Sequence, residues 1–545
     1  MELGQGGPVC PPTDRDSIHV GANLRRESLR LFQQVKDAGI PLTSEQTAFI
    51  QAVAALQPGQ AAGLEAKAGT GKTYTMLRAM GRLPRGSRML LLAFNKKVEK
   101  ELSKKAPVGV DVRTFHGFCQ SRLKKRMSDQ EVVFNKTYKL LKERVKNRRA
   151  RWPISQTISL AKNLGVGVML PDEIEIWKEL LTEYDIRLPK SVSSDYVIGY
   201  ARKLLAELSA DPVQVDFDDM LYYVARDGLG DMVPYDYVLV DEAQDTNPIQ
   251  LAVLDHLMSN GHTALVFVGD PKQAIYGWRG AGVQAFQEMA DRYGANTYSL
   301  TTTWRCPRSV VELAQQIVPE IQPREDAPEG EVQRIHPEDF QDLGPTLGNR
   351  DVVLCRNNAP LLSMALRFVA AGHPCKILGK DITGRVMKTI QYAYKGGGVA
   401  SDAPLVRMAH KATQDLEDRP FALAAALEEV ACATVVYNYV MEQEYDIRSH
   451  TDLVLAVEKV CKDLFSEDEK KDCLTFTTIH RAKGLEWEHV WWLDPKNVPS
   501  KSAKKAGGWH LGQEYNLAYV AITRAKEALT LVSSVDKPLE HLTGG

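Results

Sequence analysis

The sequence predicts an α/β protein with two parallel-sheet cores, each interrupted by a mainly helical insertion. Three observations carry that prediction. Short apolar strands alternate with helical stretches in two separate blocks, the pattern of parallel sheets covered by helices. A glycine-rich turn, Ala66-Lys67-Ala68-Gly69-Thr70-Gly71-Lys72-Thr73, directly follows the first strand of the first block. An acidic strand end in the same block, Asp241-Glu242, lies far downstream, beyond a basic, helix-rich stretch.

In chain order, residues 1–22 are expected as a flexible N-terminus rich in Gly and Pro. Residues 23–118 and 214–300 make the first α/β domain, with strands near 63–66, 88–94, 237–240 and 264–269. Between them, 119–213 is a basic helical insertion. Residues 301–383 and 473–545 make the second α/β domain, with strands near 352–355, 375–378, 474–478, 489–493 and 529–532. Its insertion, 384–472, reads as helical with loops at Lys395-Gly396-Gly397-Gly398 and at the acidic stretch 466–472. No internal repeat of solenoid period is evident.

Bulk properties narrow the class. A chain of 545 residues exceeds what one core supports. The net charge of −1 means that any affinity for nucleic acid must come from local basic surface. The eight cysteines are dispersed without a C-x-x-C pair, which speaks against zinc or iron–sulfur sites and for reduced thiols in a cytoplasm. Residues 421–440 come closest to a membrane span but carry Glu428 and Glu429, and the N-terminus lacks the apolar core of a signal peptide. A cytoplasmic protein without membrane contact is therefore expected.

The glycine-rich turn has the pattern of a phosphate loop. Gly69 and Gly71 let the backbone curl, and the amides of Ala68, Gly69, Thr70, Gly71, Lys72 and Thr73 at a helix start supply donors to phosphates. Lys72 is expected to reach the β- and γ-phosphates, and the Thr73 hydroxyl to ligate Mg²⁺. The apolar strand at 237–240 delivers Asp241 to the metal and Glu242 to the attacking water. Either motif alone also fits a plain turn or a solvated strand end. Together, in order and followed by Gln244 and Asp245, they describe a nucleoside triphosphatase using ATP and Mg²⁺.

Gln46, about one helix upstream, carries an amide that matches both edges of adenine, although it also stands behind a Thr/Ser helix cap. Residues 269–281 put Gln273 where it can sense a γ-phosphate, with Tyr276, Trp278 and Arg279 beside it. Aromatics exposed among basic residues stack on bases regardless of sequence, at ~1–3 kcal/mol per base. A segment so rich in Gly and polar residues fits core filling poorly. The run from Arg122 to Arg151 holds twelve Lys and Arg, counting both ends, in keeping with a solvated helix face or with backbone and duplex contact.

This set resembles the UvrD/Rep/PcrA group of superfamily 1 DNA helicases, across both blocks and in the family's order. Gln46, the phosphate loop, Ala93-Phe94-Asn95-Lys96-Lys97, Thr114-Phe115-His116, Phe217-Asp218-Asp219-Met220, Asp241–Asp245 and 269–281 match in the first block. Thr303-Trp304-Arg305, Thr477–Glu486 and Ala518–Lys526 match in the second. The resemblance implies two RecA-like domains with ATP between them. It implies that Arg305 and Arg524 reach the γ-phosphate as arginine fingers, that Trp304 stacks on adenine where the family usually has Tyr, and that Glu486 lies near the ribose or the DNA. Phe94, Asn95, Phe115, His116 and His480 are then strand contacts.

The resulting expectation is a monomeric, DNA-stimulated ATPase and helicase acting on single-stranded DNA and single/double-strand junctions, with 3′→5′ movement implied by the resemblance. Two other classes stay open at this point: a translocase or protein remodeller that unwinds poorly, and a non-catalytic, ATP-gated nucleic-acid-binding protein. An RNA substrate is a further alternative.

Overall fold

The computed structural model describes residues 41–126, 131–210, 213–229, 235–277, 280, 284–417, 419–443, 445–464 and 473–540. The first sheet has strands β1 (Ala61–Ala66), β2 (Met89–Ala93), β3 (Asp111–Thr114), β4 (Tyr237–Val240), β5 (Ala264–Gly269) and β6 (Asn296–Leu300). They lie in the order β3-β2-β4-β5-β1-β6, and every pairing is parallel. The apolar runs of β2, β4 and β5 are buried on both faces, as parallel strands covered by helices must be. Alternation divides them. Leu90, Leu92, Val238, Val240, Leu265 and Phe267 enter the core shared with the first insertion. Leu91, Ala93, Leu239, Val266 and Val268 face the helices Ser44–Ala54 and Lys72–Met80.

The second sheet holds β7 (Glu331–Ile335), β8 (Asp351–Cys355), β9 (Cys375–Ile377), β10 (Leu474–Thr478), β11 (Trp487–Leu493) and β12 (Ala525–Val532). Their order is β7-β12-β11-β8-β10-β9, again wholly parallel. One face packs on the second insertion through Val353, Phe476 and Trp491. The other packs on helix Gly508–Ile522 through Leu354, Val490 and Trp492. The sequence reading lacked β3, β6 and β7, all of them edge strands.

The intervening segments are helical, as expected, but two proposed boundaries cut continuous helices. Cys119 lies inside Phe115–Arg126, and Gly384 lies inside Lys380–Ala393. A helix that passes from one unit to the next leaves no break in composition. The acidic stretch 466–472 lies outside the described residues.

The first insertion is tied to helix Phe217–Asp227 of the first domain by a buried ionic network. Lys162 Nζ lies 2.6 Å from Asp219 Oδ1 and Lys136 Nζ lies 3.1 Å from Asp219 Oδ2, at the start of helix Phe217–Asp227. Burial works to lower the Lys162 pKa, but Asp219 and Asp216 outweigh it and hold it raised. Among the described residues, Pro420–Glu442 is the helix long and apolar enough to cross a membrane. It packs into the second core through Val430, Ala433, Val436 and Val440, and its Glu428 Oε1 accepts the Ala359 N–H at 2.9 Å.

Candidate active site

The phosphate loop, Asp241-Glu242 and the segment from Asp270 stand at the carboxyl ends of three neighbouring strands, β1, β4 and β5. Open parallel sheets bind ligands at that edge. Gly69 (φ +73°) and Gly71 (φ +83°) take left-handed backbone, and Gly71 caps helix Lys72–Met80, so the loop's amides and the positive helix end converge.

Lys72 Nζ lies 2.6 Å from Glu242 Oε1 and 3.8 Å from Asp241 Oδ1. Burial works to lower the lysine pKa, but the two carboxylates prevail and raise it. Burial pushes Asp241 above the usual carboxylate range. Burial opposes the Glu242 charge as well, yet Lys72 and Lys483 outweigh it and hold that carboxyl low. Glu242 sits at φ +55°, backbone that residues other than glycine rarely adopt and that clusters at functional sites. Gln244 orients it, donating from Nε2 to Glu242 while its Oε1 accepts the Asp270 N–H at 2.9 Å.

Thr73 and Asp241 are hard oxygen donors of the kind Mg²⁺ takes alongside water and phosphate oxygens. The desolvation that raises Asp241 is what a cation beside it would offset. These residues therefore fit the metal.

The second domain meets this loop directly. Trp304 N–H donates to Gly69 O at 2.8 Å, and the indole remains 38% exposed beside the loop. A Cβ on Gly69 would lie 2.5 Å from Thr303 Oγ1 and 2.6 Å from Arg305 Cβ. Gly69 thus admits the other domain as well as curling the loop, a requirement invisible in the motif. Arg305 donates from Nε to Glu486 Oε2 at 2.7 Å and from Nη1 to Thr523 O at 3.1 Å.

Arg524 is buried. It donates to the carbonyls of Val520 and Leu485, and its Nη2 reaches Gln273 Oε1 at 3.3 Å. Desolvation and Arg305 bring its pKa down to about 9. Gln273 in turn donates to Asp270 Oδ2 at 2.6 Å. Glu486, expected at the ribose or the DNA, pairs with Arg305 and has Lys526 at 3.7 Å. The Gln46 amide caps its own helix through Thr43 and donates to Thr70 O at 3.5 Å, which places it against the phosphate loop.

Residues 47–294 match the profile of the UvrD/REP helicase N-terminal domain, and residues 413–536 that of the UvrD-like helicase C-terminal domain. The chain belongs to the UvrD/Rep helicase family. Among its relatives, the F-box DNA helicase protein 1 of Schizosaccharomyces pombe is 26% identical over 532 residues, which cover 91% of this chain and 58% of the relative. The ATP-dependent DNA helicase PcrA of Staphylococcus aureus is 22% identical over 615 residues, covering 87% and 81%. The RecBCD enzyme subunit RecB of Mycobacterium tuberculosis is 46% identical over 81 residues, only 7% of its length. The chain thus spans little more than half of the first of these relatives.

The strand-contact residues that the UvrD/Rep resemblance implied fare unevenly. Phe94 and Tyr276, from different motifs, stack on each other with ring centroids 5.6 Å apart. The Tyr276 hydroxyl donates to His480 O at 3.0 Å. Asn95 Oδ1 accepts the N–H groups of Lys97 and Val98, so this residue acts as a helix cap. Phe115 is 5% exposed and packs in the first core. His116 instead meets Phe217 edge-on at 5.9 Å, and Phe217 (50% exposed) contacts Phe134 (68% exposed). The His480 imidazole is pushed down to about 4 by desolvation and by Arg356, so it is neutral near pH 7. Trp278 and Arg279 lie outside the described residues.

Sequence reasoning did not single out Lys483, Tyr519 or Phe134. Lys483 Nζ lies 2.6 Å from Asp245 Oδ2 and donates to Gln273 O at 2.6 Å. The Tyr519 hydroxyl accepts the Ala68 N–H at 3.0 Å.

Proposed function

We propose that this chain is a monomeric, cytoplasmic, ATP-dependent DNA helicase. In this reading it translocates 3′→5′ on single-stranded DNA and unwinds junctions by coupling ATP hydrolysis to closure of its two RecA-like domains, with 119–213 and the segment around 384–472 as the insertions. The observation that supports it most is the convergence of charged groups from both sheets on one loop. Lys72, Asp241 and Glu242 come from the first domain, and Arg305 and Arg524 from the second, joined through Gly69 and Gln273. A site divided in this way can report its contents as domain movement.

Each residue's chemistry follows from its surroundings. Phosphate oxygens that take Lys72 release Glu242 from its 2.6 Å ion pair. Freed of that pairing, Glu242 becomes a stronger base toward water. Mg²⁺, held by Thr73 and Asp241 when bound, would neutralise phosphate charge. Arg305 and Arg524 add positive charge from the opposite wall, a contribution of about 10³–10⁵ in rate in related phosphoryl transfer. The aromatic pair Phe94–Tyr276 and the exposed Phe217–Phe134 surface offer faces for bases.

One assay series tests this: ATP hydrolysis with and without single-stranded DNA or RNA, then unwinding of duplexes bearing 3′ or 5′ overhangs. DNA-stimulated hydrolysis that Lys72→Ala abolishes, with unwinding from 3′ overhangs, is expected. Stimulated hydrolysis without strand separation would leave a translocase, and no hydrolysis under any condition would remove the enzymatic reading altogether.

A further inference from the structure

One face of helix Gly508–Ile522 reaches from the second domain into the first at successive turns. Gln513 Oε1 accepts the Gly277 N–H at 2.9 Å. Asn516 Nδ2 donates to the carbonyls of Ala274 at 2.9 Å and Pro271 at 3.2 Å. The Tyr519 hydroxyl accepts the Ala68 N–H at 3.0 Å. A spacing of three makes these side chains neighbours along one helix face. Their partners are all backbone groups, and they belong to the two functional segments of the first domain. Ala68 lies in the phosphate loop, while 271–277 carries Gln273 and Tyr276.

Packing reinforces the attachment. Ala68 and Ile275 are buried within the apolar core of the second sheet. A Cβ on Gly277 would lie 2.6 Å from both Gln513 Oε1 and the Trp509 ring, so only glycine allows the helix this close. Just past the helix end, Arg524 adds its bond to Gln273.

We propose that the Gln513–Asn516–Tyr519 face is the element that transmits the state of the phosphate loop to the strand-contacting segment. This rests on the helicase reading above. A helix of 15 residues is stiff, and its polar bonds, buried at Tyr519 and Asn516 and part-buried at Gln513, cost free energy when one partner is left unmade. A shift of the phosphate loop against the second domain is therefore followed by 271–277, or the bonds at one end are lost. Gln513 and Asn516 touch neither nucleotide nor strand in this scheme. They are positioning residues.

The test uses the full chain, ATP, and a single-stranded oligothymidylate as probe. The readout is the ratio of DNA-stimulated to basal kcat for Asn516→Ala, Gln513→Ala and the double variant Gln513→Ala/Asn516→Ala, with thermal unfolding alongside. In each single variant the ratio is expected to fall about fivefold or more, the low end of coupling between two sites, while the basal KM for ATP stays within about twofold. If the face acts as a unit, the double variant loses little more than Asn516→Ala alone. A lowered melting temperature with an unchanged ratio would mean a purely structural role and would overturn the proposal. So would losses that multiply in the double variant. Gln513 is only half-buried, so Gln513→Ala decides the matter if Asn516→Ala does not fold. Wild-type hydrolysis insensitive to DNA would instead bring down the helicase reading, and this inference with it.

Discussion

Alanine at Gly69 and at Gly71 separates the loop's own geometry from the apposition of the two domains. Both positions have left-handed backbone, so alanine at either is strained by about 1–2 kcal/mol. Beyond that the sites differ. At Gly71 the nearest atom to a new Cβ is Gln46 Nε2 at 3.2 Å, the end of a flexible side chain. At Gly69 the new Cβ comes within 2.5 Å of Thr303 Oγ1 and 2.6 Å of Arg305 Cβ, both on the second domain. Overpacking of this kind costs about 1–3 kcal/mol, relieved only if the segment that carries Arg305 withdraws. The cost therefore falls on the closed arrangement, whose population drops by about 5- to 150-fold at 1.36 kcal/mol per decade. Steady-state ATP hydrolysis in the presence of single-stranded DNA should show kcat for Gly69→Ala below that of Gly71→Ala by about that factor, with similar melting temperatures. Equal kcat values, or the larger loss in Gly71→Ala, would refute the view that Gly69 is reserved for contact between domains.

Other substitutions probe separate parts of the molecule. Lys162→Met leaves Asp219 short of one of its two buried cations and should lower unfolding free energy in denaturant by about 3–5 kcal/mol; a loss near zero would show that the network does not anchor the insertion. His480 titrates at about 4 when folded and near 6.5 when unfolded, so between these values the unfolded chain binds the extra proton. Stability attributable to it is thus complete above about pH 6.5 and declines toward pH 4, by at most about 1.4 kcal/mol per pH unit. His480→Gln should flatten the stability–pH slope across that window, and unchanged slopes would contradict the assignment. Phe217→Ala should weaken single-strand binding by about 1–3 kcal/mol with little effect on stability. Phe115→Ala should do the reverse, costing about 3–5 kcal/mol of stability, and equal binding losses in the two would mark Phe115 as a strand contact.

Phosphate loop and acidic strand end were legible because their chemistry demands fixed residue types within a few positions of one another. Interior strands were legible because burial on both faces leaves an apolar run. The edge strands β3, β6 and β7 were not, since an edge faces water and sequences such as Asp111-Val112-Arg113-Thr114 carry no such run. Aromatics in motif segments could be found, but their orientation could not. Phe115 opens one helix and turns its ring into the core, whereas Phe217 follows the capping box of Asp216 and Asp219 and stays exposed. Contacts such as Tyr519 to Ala68, 451 positions apart, follow from the packing of two domains and leave no local pattern.

The same gap separates a count of charges from the site's behaviour. Counted as charges, Lys72, Lys483, Arg305 and Arg524 are four cations around a phosphate loop, which describes a bare positive field. In the fold, three of them already hold a carboxylate: Lys72 with Glu242, Lys483 with Asp245, and Arg305 with Glu486. Arg524 is held by carbonyls and by the Gln273 amide oxygen. A triphosphate entering here exchanges partners rather than filling a vacant field. Of the three pairs, Lys483–Asp245 spans the two domains, with Asp245 from the first and Lys483 from the second, so an exchange that reaches it changes which contacts hold the domains in register. That is the physical ground for expecting the nucleotide to move one domain against the other.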